Sequence, residues 1–174
     1  METLIQSDML LFRPTRSDDI PFVMVTESDE ENSRYVLQWT AERHEQATKE
    51  ADVGHIVIET IGERKQIGYL IVAGLQNPHQ SVELKRIAIT EKGKGYGREA
   101  LKLIKQWVFE HAGAHRLWLD VKEQNARARH LYESEGFIVE GVTRECLKNG
   151  DSFESLVVMS MLRPEYYRAE RAEA

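Results

Sequence analysis

The stretch "SVELKRIAITEKGKGYGREALKLIKQW" (residues 81–107) constrains this chain more than any other. A largely apolar run is stopped by three glycines spaced two apart. A second run follows in which Ala100, Leu101, Leu103, Ile104, Trp107 and Val108 fall at helical spacing. A strand that passes to an amphipathic helix through a glycine turn needs a sheet to pair with and an apolar layer to bury the helix against. Simple alternation places Val82, Leu84 and Ala88 on one face of that strand and Glu83, Lys85, Ile87 and Ile89 on the other. The helix start is an anion site by default, because its first N–H groups lack intrahelical partners and the dipole there favours negative charge.

The rest of the chain supplies the sheet. "MLLFRP" reads as a first strand closed by Pro14, and Ser17 is the expected N-cap of a short helix that follows. "ESDEENSR" reads as an acidic loop, and "YVLQWTAERHEQATKEA" has helical composition. "GHIVIET" and "QIGYLIVAGL" flank a turn and predict a hairpin, with "SVELKRIAI" as the next strand. After the helix, which runs to about His111, "AHRLWLDV" is a strand. Asn125 then caps the helix "ARARHLYESE", with Gly136 at its C′ position. "FIVEGVTREC" and "ESLVVMSML" form a last hairpin around Asn149-Gly150, and "RPEYYRAERAEA" (from about 163) reads as a polar tail. The order is one strand, two helices, three strands, helix, strand, helix, two strands. It predicts an α/β (α+β) chain with one seven-stranded mixed sheet, helices on both faces, and a single domain over 1–174.

Composition narrows the function. At 174 residues with 41% hydrophobic and 30% charged residues, the chain is long enough to bury about two thirds of its unfolded surface. A formal charge of −6 argues against nucleic-acid binding, for which a basic field is the usual footprint. Cys146 is the single cysteine, so no intrachain disulfide can form, and no metal centre is expected. No basic segment followed by a long apolar run opens the chain, and no window suits a membrane span, so a cytoplasmic protein is expected.

Three phosphate-binding patterns compete for the glycine turn. A P-loop would end in Gly-Lys-Ser/Thr, which is missing. A dinucleotide fingerprint would be Gly-x-Gly-x-x-Gly near the first strand, whereas here Arg98 stands where the last glycine should fall. The third is Arg/Gln-x-x-Gly-x-Gly/Ala after an internal strand, whose amides hold a coenzyme A pyrophosphate. "KGKGYG", from Lys92 to Gly97, fits it with lysine in the first place. A flexible turn with solvent-facing lysines is the plain alternative.

Taken with "LWLDVKEQNARARHLYESEGF", the turn changes the weighing. This second stretch, strand, asparagine, short helix with a tyrosine, then Gly-Phe, resembles the GNAT superfamily of N-acetyltransferases. Within it the chain is most similar to bacterial Rim-type protein acetyltransferases and spermidine acetyltransferases, and the resemblance covers nearly the whole chain. It implies the GNAT fold, with a mostly antiparallel sheet, and transfer of an acetyl group from acetyl-CoA to a primary amine (a polyamine or other small amine, or a peptide N-terminus). The transfer would proceed by direct attack in a ternary complex. Acetyl-CoA would be a co-substrate, no metal, nucleic acid or membrane is implied, and a homodimer is compatible.

The resemblance also assigns residues. Backbone groups of the strand segment Ile87, Ala88 and Ile89 would pair with pantetheine. Lys92, Gly93, Lys94, Gly95, Tyr96, Gly97 and Arg98 would hold the pyrophosphate, although the segment before Lys92 is shorter than the family's common version. Asn125 would contact the pantetheine arm, and Tyr132, seven residues on, would protonate the departing sulfur. Outside the motif, Tyr132 would read as a core aromatic. Two carboxylates compete as base. Glu83 matches the strand glutamate of histone-acetylating members, and Asp120, twelve residues before Tyr132, matches the base-like glutamate of ribosomal-protein acetylating members. Glu83 is slightly preferred, against a plain salt bridge to Lys85 that would make it a poor base. A coenzyme A-binding sensor or scaffold without catalysis is the alternative function.

Overall fold

The computed structural model describes residues 2–33 and 37–174. Its frame is one sheet of eight strands in the order β1-β2-β3-β4-β5-β6-β8-β7. β2 (Leu10–Pro14), β3 (Val53–Thr60), β4 (Gln66–Ala73) and β5 (Ser81–Ile89) pair antiparallel, each with the next. β6 (Arg116–Lys122) joins β5 as the one parallel pair, and β8 (Ser152–Leu162) and β7 (Ile138–Asn149) complete the sheet as an antiparallel hairpin. The eighth strand, one more than expected, is β1 (Ile5–Gln6), which folds back on β2. Two residues carry no readable alternation, which is why the sequence hides it.

The helices are α1 (Ile20–Ser28), α2 (Glu30–Ser33), α3 (Ala41–Ala47), α4 (Tyr96–Gln106), α5 (Ala126–Ser134) and α6 (Arg163–Glu173), and α4 continues as a wider turn to His111. Several expectations need correction. Ser17 does not cap a helix: it opens the 3-10 turn Ser17–Asp19, and Asp19 occupies the N-cap of α1. Part of the acidic "loop" is α2. The helix expected from Tyr35 starts at Ala41, because the Thr40 hydroxyl accepts the Arg43 N–H at 3.1 Å and caps it there. Tyr35 and Val36 lie outside the described residues. The polar "tail" is α6, held by one aromatic: Tyr166 is buried, stacks on Phe109 at 5.0 Å, and donates to Glu110 at 2.8 Å.

Two apolar clusters sit on opposite faces of the sheet. On the first, Leu101, Leu103 and Ile104 of α4 pack on Leu70, Val72, Leu84, Leu117 and Leu119, with Leu131 and Tyr132 of α5 at the margin. On the second, Val23 of α1 meets Tyr69, Ile71 and Ala88, with Phe22, Trp39 and Val53 beside them. From Tyr69 to Val72, β4 alternates between the two. β5 does not: Ile71 pairs with Arg86 but Val72 pairs with Leu84, so Lys85 is an extra, bulged residue. Beyond the bulge the parity reverses. Ile87 and Ile89 join the first cluster with Val82 and Leu84, while Ala88 turns to the second, opposite to the simple alternation.

Between the second cluster and α3 lies a buried polar chain. The His44 Nε2 bonds Glu27 Oε2 at 2.6 Å, His44 Nδ1 meets His55 Nε2 at 3.0 Å, and His55 Nδ1 meets the Thr15 hydroxyl at 2.8 Å. Every nitrogen of both rings therefore has a partner, as buried polar groups require. Burial, then the charge of His44, lowers the His55 pKa from 6.5 to about 4. A histidine depressed in this way stabilises the fold fully above its unfolded value, and the contribution is lost as pH falls from 6.5 towards 4. Linkage puts the loss at about 3 kcal/mol. Denaturant unfolding at pH 7 and at mildly acidic pH should show this slope, and His55→Gln should flatten it. An equal slope in both proteins would remove His55 as its source.

Candidate active site

β5 and β6 touch over only three residue pairs, Ser81↔Arg116, Val82↔Leu117 and Glu83↔Trp118. Past Glu83 the register ends, while β6 stays paired to β8 along its full length. The bulge at Lys85 falls where the separation starts, consistent with the local bending that an extra residue imposes. The parted strands open a cleft of about 1420 Å³ lined from both faces of the sheet. Beyond Glu83, β5 keeps its pairing with β4 on one edge, while its other edge, facing the cleft, has no neighbouring strand.

The glycine turn stands at one end. Gly93 (φ +76°) and Gly95 (φ +79°) are left-handed, and Gly95 is the N-cap of α4. The first i to i−4 bond runs from the Glu99 N–H to the Gly95 carbonyl at 3.1 Å. The amides of Tyr96, Gly97 and Arg98 therefore precede any intrahelical acceptor. Gly97 has no positive φ, and a Cβ there would meet only Leu131 Cδ2, at 4.0 Å. Nothing in the protein demands glycine at that position, whereas a ligand lying against the helix start would. The turn thus fits a diphosphate.

The cations around it are already engaged. Lys94 and Lys65 pair with Glu91. The Lys92 Nζ donates to Asn32 Oδ1 at 2.7 Å, and the Arg98 guanidinium reaches Ser134 at 3.0 Å and Glu135. Ile87 and Ile89 line the cleft, but Ala88 points its side chain into the second cluster, so any part it plays is through its backbone.

The reacting groups gather along the same cleft. Tyr132 is half-buried, with its ring set edge-on to Phe137 at 5.9 Å. Among the described residues its hydroxyl has no hydrogen-bond partner. Burial, then the charge of Asp120, pushes its pKa up to about 12. Asp120 opens onto the cleft, and loss of solvation there raises its carboxyl against the opposing pull of Lys85. Glu83 is raised too, by burial first and then by Asp120. The salt bridge to Lys85 exists, at 3.9 Å, yet it is too long to outweigh burial. The Asn125 Oδ1 accepts the Ala128 N–H at 3.2 Å, which commits that oxygen to the cap and leaves its amide NH2 as donor.

Thus Glu83, Asp120, Tyr132, Asn125 and the turn from Lys92 to Arg98, apart from the Lys94 side chain paired with Glu91, share one cleft. Leu37, Trp39, Arg86 and Leu147, none of them assigned a role above, line it as well. For Arg86 there was one signal, a charge at an apolar position of "ELKRIAI". His111 and His115 have a His-x-x-x-His spacing, but the helical turn ends at His111 and Gly113 (φ +72°) redirects the chain, so they do not share a helix face.

Known proteins match this architecture. A family model described as the acetyltransferase (GNAT) domain matches residues 9–138. The spermidine N(1)-acetyltransferase of Escherichia coli (strain K12) is 27% identical over 166 residues, covering 88% of this chain and 86% of that protein. The crystal structure of spermidine N-acetyltransferase from Vibrio cholerae in complex with CoA and spermine has a TM-score of 0.83 at 22% identity, over 92% of this chain and 99% of that one. A dodecameric structure of the Vibrio cholerae enzyme gives 0.79 at 22% identity, over 94% and 99%. With the parted strands, the glycine turn and a family match over most of its length, the chain belongs to the GNAT acetyltransferase family and is an acetyl-CoA-dependent N-acetyltransferase.

Proposed function

We propose that the chain acetylates a primary amine of a polyamine-like cation, using acetyl-CoA, by direct attack within the cleft between β5 and β6. The observation that carries this reading is the placement of an anion-binding helix start, an unpaired strand edge and three ionisable side chains along one opening. The amides of Tyr96, Gly97 and Arg98 would take the pyrophosphate, and the free edge of Ile87 and Ile89 would pair with the pantetheine amides as an added strand does. The Asn125 amide would steady the arm. Acetyl-CoA supplies the thioester; the rest of the chemistry is proton handling by this chain.

A primary amine arrives as ammonium and must lose a proton before attack. Glu83 and Asp120, both shifted upward from their ordinary values, are better matched to that task than fully solvated carboxylates, directly or through water. The amine nitrogen bonds the carbonyl carbon, the carbon–sulfur bond breaks, and Tyr132 hydrogen-bonds to the thiolate as charge builds on it. A non-catalytic coenzyme A-binding module would need none of these groups.

The acceptor class rests on three supports. Two carboxyls near the reacting end favour a cation, and the relatives named above act on spermidine. The acidic stretch "ESDEE" contributes less than its composition suggests, because Glu27 is buried and paired while Glu30 lines the cleft. The dodecameric relative favours assembly beyond a monomer, without singling out a dimer. Among the described residues no helix is long and apolar enough to cross a membrane.

Thiol release from acetyl-CoA, measured with spermidine, spermine, a basic peptide and an uncharged-chain amine, tests the reading. Polycations should have the highest kcat/KM, and their advantage should shrink as salt rises. Equal, salt-indifferent rates would exclude a polycation-selective site, and no thiol with any amine would favour the binding module.

A further inference from the structure

The sheet face opposite α4 carries an ionisable cluster that the transfer chemistry does not use. Its centre is Glu27 of α1, only 1% exposed. Its Oε2 accepts from His44 of α3 at 2.6 Å and from the Tyr69 hydroxyl of β4 at 2.8 Å. Its Oε1 accepts the Trp39 backbone N–H, with the Arg86 guanidinium of β5 at 3.8 Å. Burial opposes the charge, but these donors outweigh it and hold the Glu27 pKa below the ordinary value. An ionised carboxylate can only accept, so all four neighbours present donors to it.

What the cluster holds is the far wall of the cleft. Leu37 to Thr40 belong to no helix or strand. They are fixed instead by the Trp39 N–H on Glu27 and by Arg86 Nη1 donating to the Leu37 carbonyl. The Trp39 ring is flanked by Arg86 at 4.3 Å and Arg43 at 4.4 Å. Arg86 is 7% exposed, so its charge depends on Glu27 for compensation, and its Nε has no partner among the described residues. Leu37, Trp39 and Arg86 all line the cleft. Since α4, α5 and Tyr132 occupy the first face, a donor seated on α4 reaches the centre from that side. The second substrate is left the side of Trp39 and Arg86.

We infer that Glu27 is a positioning residue for the acceptor: by pinning the Trp39 backbone and Arg86, it builds the wall against which the amine is aligned. The inference rests on the cleft being the transfer site proposed above, which the amine panel tests separately on the unaltered protein. Glu27→Gln keeps the shape and removes the charge that Arg86 requires. Steady-state kinetics with spermidine should show KM for the amine rising about tenfold, with kcat and the acetyl-CoA Kd within about twofold of the unaltered protein. An unchanged amine KM in a folded variant would overturn the inference. So would a fall in kcat and acetyl-CoA affinity together, which marks general loosening. If Glu27→Gln does not fold, Arg86→Met removes the group that Glu27 compensates, and the same split is expected of it. An Arg86→Met protein with unchanged amine KM would be equally fatal.

Discussion

Tyr132→Phe should lower kcat about 100-fold and leave the acetyl-CoA Kd and the melting temperature close to those of the unaltered protein. The size follows from the acids involved. A free thiol has a pKa of about 8.5, so the leaving thiolate departs without needing full protonation. Tyr132, pushed up to about 12, stays neutral at any working pH and always presents a donor. Full transfer from so weak an acid is uphill, so its help is a hydrogen bond that strengthens as charge develops on sulfur. That places it at the low end of general-acid catalysis. Phenylalanine keeps the edge-on contact with Phe137, so packing is preserved and only the donor is lost. A Phe variant with full kcat, measured where chemistry limits the rate, would reduce Tyr132 to a packing residue.

Gly97→Val should weaken acetyl-CoA binding about 100-fold, equivalent to about 2.7 kcal/mol, without unfolding the chain. The position is helical, its nearest neighbour to a new Cβ is Leu131 Cδ2 at 4.0 Å, and no positive φ demands glycine. Valine therefore costs the fold little, because even a β-branched residue is a better helix former than glycine. Its methyls would occupy the space from which a diphosphate must approach the amides of α4. Gly95 is a poorer test, because at φ +79° any side chain adds backbone strain to the loss of the ligand. Calorimetry showing unchanged affinity in folded Gly97→Val would mean that the pyrophosphate lies elsewhere.

Local physics made most of the frame readable. β3 and β4 announce themselves as apolar runs flanking a turn, β6 by alternation and the β7–β8 hairpin by Asn149-Gly150, and Gly136 (φ +93°) ends α5 as the C′ rule requires. That the glycine turn and Tyr132 line one cleft could be anticipated, because the motifs that carry them are defined by spacing along the chain. What stayed hidden depends on pairing between distant segments. The bulge at Lys85 is a property of β4 and β5 together, so Ala88 was assigned to the wrong face. α6 has a polar surface, and it becomes part of the fold through Tyr166 docking on Phe109 and Arg163 bonding the Phe109 and His115 carbonyls. Trp39 and Arg86 reach the cleft through a carboxylate on α1, a relation with no signature in the sequence.

The claim that joins these parts is that the amine attacks acetyl-CoA directly while both occupy the cleft. A single-turnover experiment measures this: protein saturated with acetyl-CoA is mixed with spermidine, and free thiol, acetylated amine and protein-bound acetyl are followed together. The expected result is no thiol before the amine is added, then thiol and acetylated amine appearing at one rate in equal amounts, with no acetyl retained on the protein. Thiol released ahead of product, with the acetyl group found on a side chain, would contradict direct transfer and point to a covalent intermediate.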